Sequence, residues 1–209
     1  MQGTKQSSAK QTYPSEPKGF SNARLEEVHE LAEARRRERI KGLTRNLEVC
    51  DLLDMRNVQS VAEHAPKITS FLLEEEMRFM LPRSFLQDQN EVTEKMRAYL
   101  VDWLAELHFR FKLWSETLYV TVGIIDRFLA IEKNLKKSEL QCLGITALHI
   151  AGKYEEIYPP ELKNILKITD EAVPRKDIIE MEFRVLNALQ FSVTFPSMFR
   201  FLERFSRLA

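Results

Sequence analysis

The chain has 209 residues, enough for one domain of ordinary size with residues to spare. Its 31 basic and 31 acidic residues cancel, so no global charge draws it to nucleic acid or to an anionic membrane surface. Apolar runs fall short of a membrane span, the polar N-terminus is no signal peptide, and six glycines without long strand-like alternation favour an all-α fold.

Residues 1–22 are rich in Ser, Gln, Lys, Gly and Pro. They hold too few apolar side chains to offset chain entropy, so the reading is disorder. Residues 24–48 are charged and helix-prone. Within them Arg35-Arg36-Arg37-Glu38-Arg39-Ile40-Lys41 is a candidate nuclear import signal, although a solvated basic patch is the plainer reading. Cys50 and Cys142 are far apart and have no metal-ligand spacing. Cys142 lies in an apolar helical run and reads as a reduced core thiol, in keeping with an intracellular protein.

An amphipathic helix is expected over 58–80, carrying Ile68, Phe71, Leu72 and Phe79, with Pro66 suited to its first turn. The loop 81–92 holds Pro82, Asp88 and Asn90. Five helices follow. The first spans about 93–111 with Thr93 as cap, and the second about 115–131, opened by Ser115 with Glu116 in its first turn. The third spans about 138–155, opened by Ser138, apolar at Leu140, Leu143, Ala147, Ile150 and Ala151, and narrow enough at Gly144 and Ala147 for close helix contact. A short fourth covers about 160–167. The fifth covers about 174–189, with Pro174 at its first position. Phe195–Leu202 begins another helix.

The most informative stretch is Met96–Glu106. Met96, Tyr99, Leu100, Trp103, Leu104 and Leu107 recur at spacings of three and four and share one broad apolar face. Arg97 and Asp102 interrupt that stretch with charge. An ion placed where burial is expected needs a partner, because an unpaired buried charge is very costly. The spacing therefore predicts a second helix that supplies a carboxylate to Arg97. Asp126, in the apolar run Ile124–Leu129, is the candidate.

Met96–Glu106, Ile125–Leu129, Ala151–Glu161 (Ala-Gly-Lys-Tyr-Glu-Glu-Ile-Tyr-Pro-Pro-Glu) and Arg175–Leu189 follow one another at the spacings of a cyclin box. Over about residues 60–205 the chain closely resembles the A/B-type, or mitotic, cyclins. Four blocks in order are far more specific than any one of them. The resemblance implies a cyclin fold: a charged N-terminal region over 1–57, an N-terminal helix and linker over 58–92, and a five-helix box over 93–191. The start of a second, similar lobe would occupy 192–209. Most of that lobe is absent, so the sequence looks like a fragment. Mitotic cyclins often carry short degradation signals in their tails. No convincing Arg-x-x-Leu stands in this one, and Arg78-Phe79-Met80-Leu81 is expected on a helix.

The same resemblance implies roles for particular residues. Arg97 and Asp126 match the pair that ties the first two box helices, and breaking one side would cost about 3–5 kcal/mol. Lys153 and Glu182 match the contacts that grip a cyclin-dependent protein kinase near its regulatory helix. Ile150, Tyr154, Leu186, Phe191 and Val193 match the apolar pocket that receives a side chain of that helix. Tyr154 stands where Phe is more usual, so its hydroxyl needs a partner or solvent. Met96, Tyr99, Leu100, Trp103, Glu106, Leu140 and Gln141 match a docking patch for Arg-x-Leu-type substrate or inhibitor peptides, with Glu106 pairing the basic residue. Tyr99 replaces an aliphatic residue there and narrows the groove. A core-only reading of this stripe is the main alternative.

No catalytic constellation stands out. Cys142 and His149 share a helix face but lack an orienting third group. His29, His64, His108 and His149 have no metal-ligand spacing, and no phosphate-binding glycine loop is present. The expectation is a non-enzymatic kinase regulator without cofactor or metal, in nucleus and cytoplasm, with no nucleic-acid or membrane partner. Its rivals are a cyclin-fold transcription factor and a kinase-independent interaction module.

Overall fold

The computed structural model describes residues 30, 34, 47–169 and 173–209. The expected disorder over 1–22 and the basic run Arg35–Lys41 lie outside them. The described residues divide into two units, with the boundary between Glu63 and His64.

In the first unit the short helix α1 (Val49–Asp54) is preceded by Glu48, whose backbone N–H donates to Asp51 Oδ2 at 3.3 Å. A 3₁₀ turn, Val58–Ser60, follows, capped by the Asn57 side chain, which accepts from Gln59 N at 3.1 Å. Val61 then takes a left-handed conformation (φ 47°), which a continuous helix from residue 58 does not allow.

In the second unit the predicted helix begins seven residues late. It is α2 (Ala65–Phe79), with Pro66 in the first turn, where its missing N–H costs nothing. Arg78 and Phe79 close α2, while Met80 and Leu81 lie in the following loop. That loop is tied down by Gln89, whose side-chain amide donates to the carbonyls of Leu129 (2.7 Å) and Glu132. Five further helices match the expected ones within two residues: α3 (Glu94–Phe111), α4 (Ser115–Ile131), α5 (Leu140–Glu155), α6 (Leu162–Ile168) and α7 (Arg175–Ala188). α8 (Met198–Leu208) follows.

Local chemistry sets these ends. Thr93 Oγ1 accepts from Met96 N at 3.3 Å and caps α3. Ser138 does not open α5 but lies inside a 3₁₀ turn, Lys137–Glu139, that precedes it. Pro174 sits one residue before α7, as its cap. Ser197 accepts from Arg200 N at 3.4 Å and caps α8. No strand occurs among the described residues.

α5 is the centre of the unit. It is apolar on nearly every side, and Leu143, Ile145, Ala147, Leu148 and Ala151 have no exposed surface. A helix apolar all round must be surrounded, and α5 packs on α3, α4 and α7. Gly144 makes the α3 contact close: a Cβ there would meet Leu100 Cδ1 at 2.7 Å. α3 and α7 also pack on α4, and α8 rests on α4.

Candidate functional site

The Arg97 and Asp126 side chains meet between α3 and α4. Arg97 Nε donates to Asp126 Oδ1 at 2.5 Å and Nη2 to Oδ2 at 2.6 Å, a bidentate fork that fixes the crossing of the two helices. The bond to Asp126 raises the Arg97 pKa further, so the guanidinium stays charged throughout the working pH range. Asp102, by contrast, is exposed on α3 and sits outside the apolar stripe.

Lys153 near the end of α5 and Glu182 on α7 form an ion pair with each other. The ammonium keeps further N–H donors and the carboxylate a second oxygen, so the pair retains capacity toward an outside group. Tyr154 is half-exposed and its hydroxyl bonds Thr194 Oγ1 at 2.5 Å, which supplies the partner its phenol needs. Tyr154 and Val193 line a cavity of about 370 Å³ together with Phe71 and Leu72 of α2, Glu155 and Thr194. Ile150 and Leu186 do not reach that cavity: Ile150 is buried in the core and Leu186 packs against it. Phe191 is 66% exposed. Its backbone and that of Gln190 are both left-handed (φ 57° and 51°), held by Phe191 N donating to Leu186 O at 2.8 Å. Two successive non-glycine residues in this region are costly, at about 1–2 kcal/mol each.

A second surface lies across α3 and α5. Met96, Tyr99, Leu100, Trp103, Leu140 and Gln141 line an open groove of about 340 Å³. Leu100 and Leu140 are buried and form its floor, Met96 and Trp103 are half-buried, and Tyr99 is exposed at its lip. The apolar face of α3 therefore divides: Leu104 and Leu107 go into the core while Met96, Tyr99 and Trp103 border the groove. Glu106 is exposed and does not line the groove. Lys137, which sequence reasoning missed, does. Its place in a 3₁₀ turn, rather than at the start of a helix, hid it from periodicity.

Two further clusters were also missed. The tip of the Phe195 ring abuts α4 at Gly123: a Cβ there would overlap it, and the Arg127 guanidinium stands 5.3 Å from its centroid and 4.9 Å from that of Phe79. Arg127 Nη1 also donates to Ser192 O at 2.8 Å, and burial lowers its pKa. A glycine inside an apolar helix was the available signal for such a close approach. Elsewhere Glu116, Glu156 and Arg200 lie around Glu155, with Arg200 Nε 3.6 Å from Glu116 Oε2. Glu156 Oε1 accepts from Trp114 N at 2.8 Å and Thr117 Oγ1 at 2.5 Å. Burial, then the neighbouring Glu116 carboxylate, pushes the Glu155 carboxyl up.

Cys142 and His149 do not form an activated pair. Burial pushes the Cys142 thiol up, away from the reactive thiolate. Burial and then Lys153 pull the His149 imidazole down. Among the described residues no group of acidic, His and Cys side chains is arranged to hold a metal, and no helix is long and apolar enough to cross a membrane.

A helical unit centred on α5, with its first two box helices locked by an Arg–Asp fork, is the architecture of a cyclin box. The family model "Cyclin, N-terminal domain" matches residues 67–194, and the chain belongs to the cyclin family. Its relatives include the G2/mitotic-specific cyclin-B of Spisula solidissima, 42% identical over 162 residues, covering 78% of this chain and 37% of that protein. Cyclin-B2-4 of Arabidopsis thaliana is 38% identical over 159 residues, covering 76% of this chain and 37% of that protein. The chain thus spans well under half the length of the curated relatives it matches. Among solved structures, a viral cyclin from herpesvirus saimiri superposes with a TM-score of 0.53 at 25% identity, covering 60% of this chain and 56% of that one.

Proposed function

We propose that the chain acts as a B-type cyclin, a regulatory subunit that binds and activates a cyclin-dependent serine/threonine kinase and so promotes cell-cycle, specifically mitotic, progression. The observation that carries this reading is the half-exposed Lys153–Glu182 pair at the edge of α5 and α7, with the exposed rings of Tyr154 and Phe191 also on this part of the box. Lys153 and Glu182 bond main-chain groups of the kinase, and the rings supply apolar area that binding removes from water. Ile150 and Leu186 support this surface from behind. The names of the relatives, G2/mitotic-specific cyclin-B among them, support the mitotic assignment.

The cyclin contributes no reacting group. It contributes binding energy that favours the kinase's active conformer. In that conformer a kinase Lys–Glu pair closes on the ATP phosphates and the activation loop moves aside. The groove over Leu100 and Leu140 docks Arg-x-Leu-type substrate or inhibitor peptides, with Glu106 taking the basic residue. The protein works in nucleus and cytoplasm.

The test is capture of a cyclin-dependent kinase by the chain, followed by assay of protein phosphorylation, with wild type beside Lys153→Ala/Glu182→Ala. Capture and activation that fall together in the variant support the activator reading. Capture and activation unchanged by the double substitution sink it.

A further inference from the structure

A cavity of about 550 Å³ lies between α2, α3, α4 and the segment leading into α8. None of the residues assigned above to kinase or peptide binding lines it. Its walls are mostly apolar, with Phe79, Val101, Leu118, Val122 and Phe195 among them, and four charged residues share the lining. Two of these, Arg97 and Asp126, satisfy each other through their fork. Arg127 is different. It is half-buried, and the centroids of the Phe79 and Phe195 rings stand 4.9 and 5.3 Å from its guanidinium. Nη1 donates to Ser192 O at 2.8 Å, and no carboxylate of a described residue lies within ion-pair distance. The rings attract the cation but leave its remaining in-plane N–H groups without acceptors. Burial lowers its pKa, as expected of a cation short of a counter-ion. The fourth charge, Glu76 on α2, is half-buried.

We infer that this cavity binds a small apolar acid, with its single carboxylate on Arg127 and its apolar body along Val101, Leu118 and Val122. Each part of such a ligand answers a feature of the wall. The guanidinium has donors to spare, in the planar fork that suits a carboxylate. Asp126 cannot fill this role, because Arg97 holds both of its oxygens. The apolar walls reward a body that leaves water. A cavity of this size holds a whole small molecule, and the acidic side chain of a protein partner would leave most of it unfilled. Glu76 adds a selection on charge. A second negative group on the ligand would meet its carboxylate at low solvation, so phosphates and dicarboxylic acids are disfavoured. A bound acid touches α2, α3 and α4 together, and therefore stabilises the folded chain by mass action.

The test is calorimetric titration of the whole chain with decanoate, decanol and decanedioate, each below the concentration at which it self-associates. Wild type is compared with Arg127→Gln, which removes the charge, and with Val122→Phe, which fills the cavity and keeps Arg127. Helical content is checked for each. Decanoate should bind wild type about tenfold more tightly than decanol, and more tightly than decanedioate. Its advantage over decanol should vanish in Arg127→Gln, and all binding should be lost in Val122→Phe. Equal binding of decanoate and decanol by wild type overturns the inference, as does decanedioate binding as tightly as decanoate. Decanoate binding that persists in Val122→Phe places the ligand elsewhere and overturns it too. Saturable binding of none of the three has the same consequence. Where a variant fails to fold, the ranking of the three probes by wild type decides.

Discussion

At Phe191 an aromatic residue holds a left-handed backbone while two-thirds of its surface meets water. Neither the backbone nor the burial rewards a phenyl ring there, so the strain points to a use outside the fold. Glycine adopts this conformation freely. Phe191→Gly should therefore leave the melting temperature unchanged or raise it, while kinase capture weakens. A clear drop in melting temperature, worth about 1 kcal/mol or more, would instead make the ring a structural prop. Glu155 offers a second strained site, of electrostatic kind. Its carboxyl is held above the usual range by burial and by Glu116, with Glu156 adding to this and Arg200 opposing it. In the window between the unfolded value and the raised folded one, the folded chain binds more protons than the unfolded chain. Stability therefore falls as pH rises through that window, and at pH 7 the full cost is present. Glu155→Gln should raise the melting temperature at pH 7, and the gain should shrink as pH falls toward 4.5, the unfolded value. Thermal melts at a series of pH values check this.

Between elements, the segment after α7 is held to α4 by the Phe195 ring and by the Arg127–Ser192 hydrogen bond. Phe195 occupies the space that any side chain at position 123 would need. Gly123→Ala gains helix propensity, about 1 kcal/mol, but displaces a ring clasped by Phe79 and Arg127. Overpacking of this kind costs about 1–3 kcal/mol, so a net loss of stability is expected. Gly123→Ala combined with Phe195→Leu should recover most of it, as read by chemical denaturation. The elements themselves were largely legible. Thr93 and Ser115 marked helix starts, and the 3.6-residue period marked α3, α4 and α5. Boundaries slipped where local geometry overrode the pattern. Val61 turns left-handed ahead of α2, and the 3₁₀ turn at Lys137–Glu139 delays α5 past Ser138. The Arg97–Asp126 fork was legible because two charges in apolar helices require each other. Lys137 was not, because it lies in a connecting segment without a period; Phe195 reads in the sequence as the start of a helix that begins only at Met198, after the Ser197 cap, and only the folded chain brings the two residues to α3 and α4.

For the whole molecule, the equal counts of acid and base conceal local asymmetry. A cationic end of the groove at Lys95 and Lys137 coexists with an acidic cluster at Glu116, Glu155 and Glu156. Net charge is a sum, and surfaces are recognised by their local fields. The resemblance read in the sequence rests on the same long-range view, since it came from the order of four separated blocks. Only two tryptophans occur, and they sit in contrasting places: Trp103 half-buried in the groove wall, Trp114 68% exposed beside Glu156. The chain thus carries its own optical probe of groove occupancy. With Trp114→Phe all indole emission comes from Trp103. A peptide that covers the groove should shift that emission to shorter wavelength, while one that binds anywhere else should leave its colour unchanged.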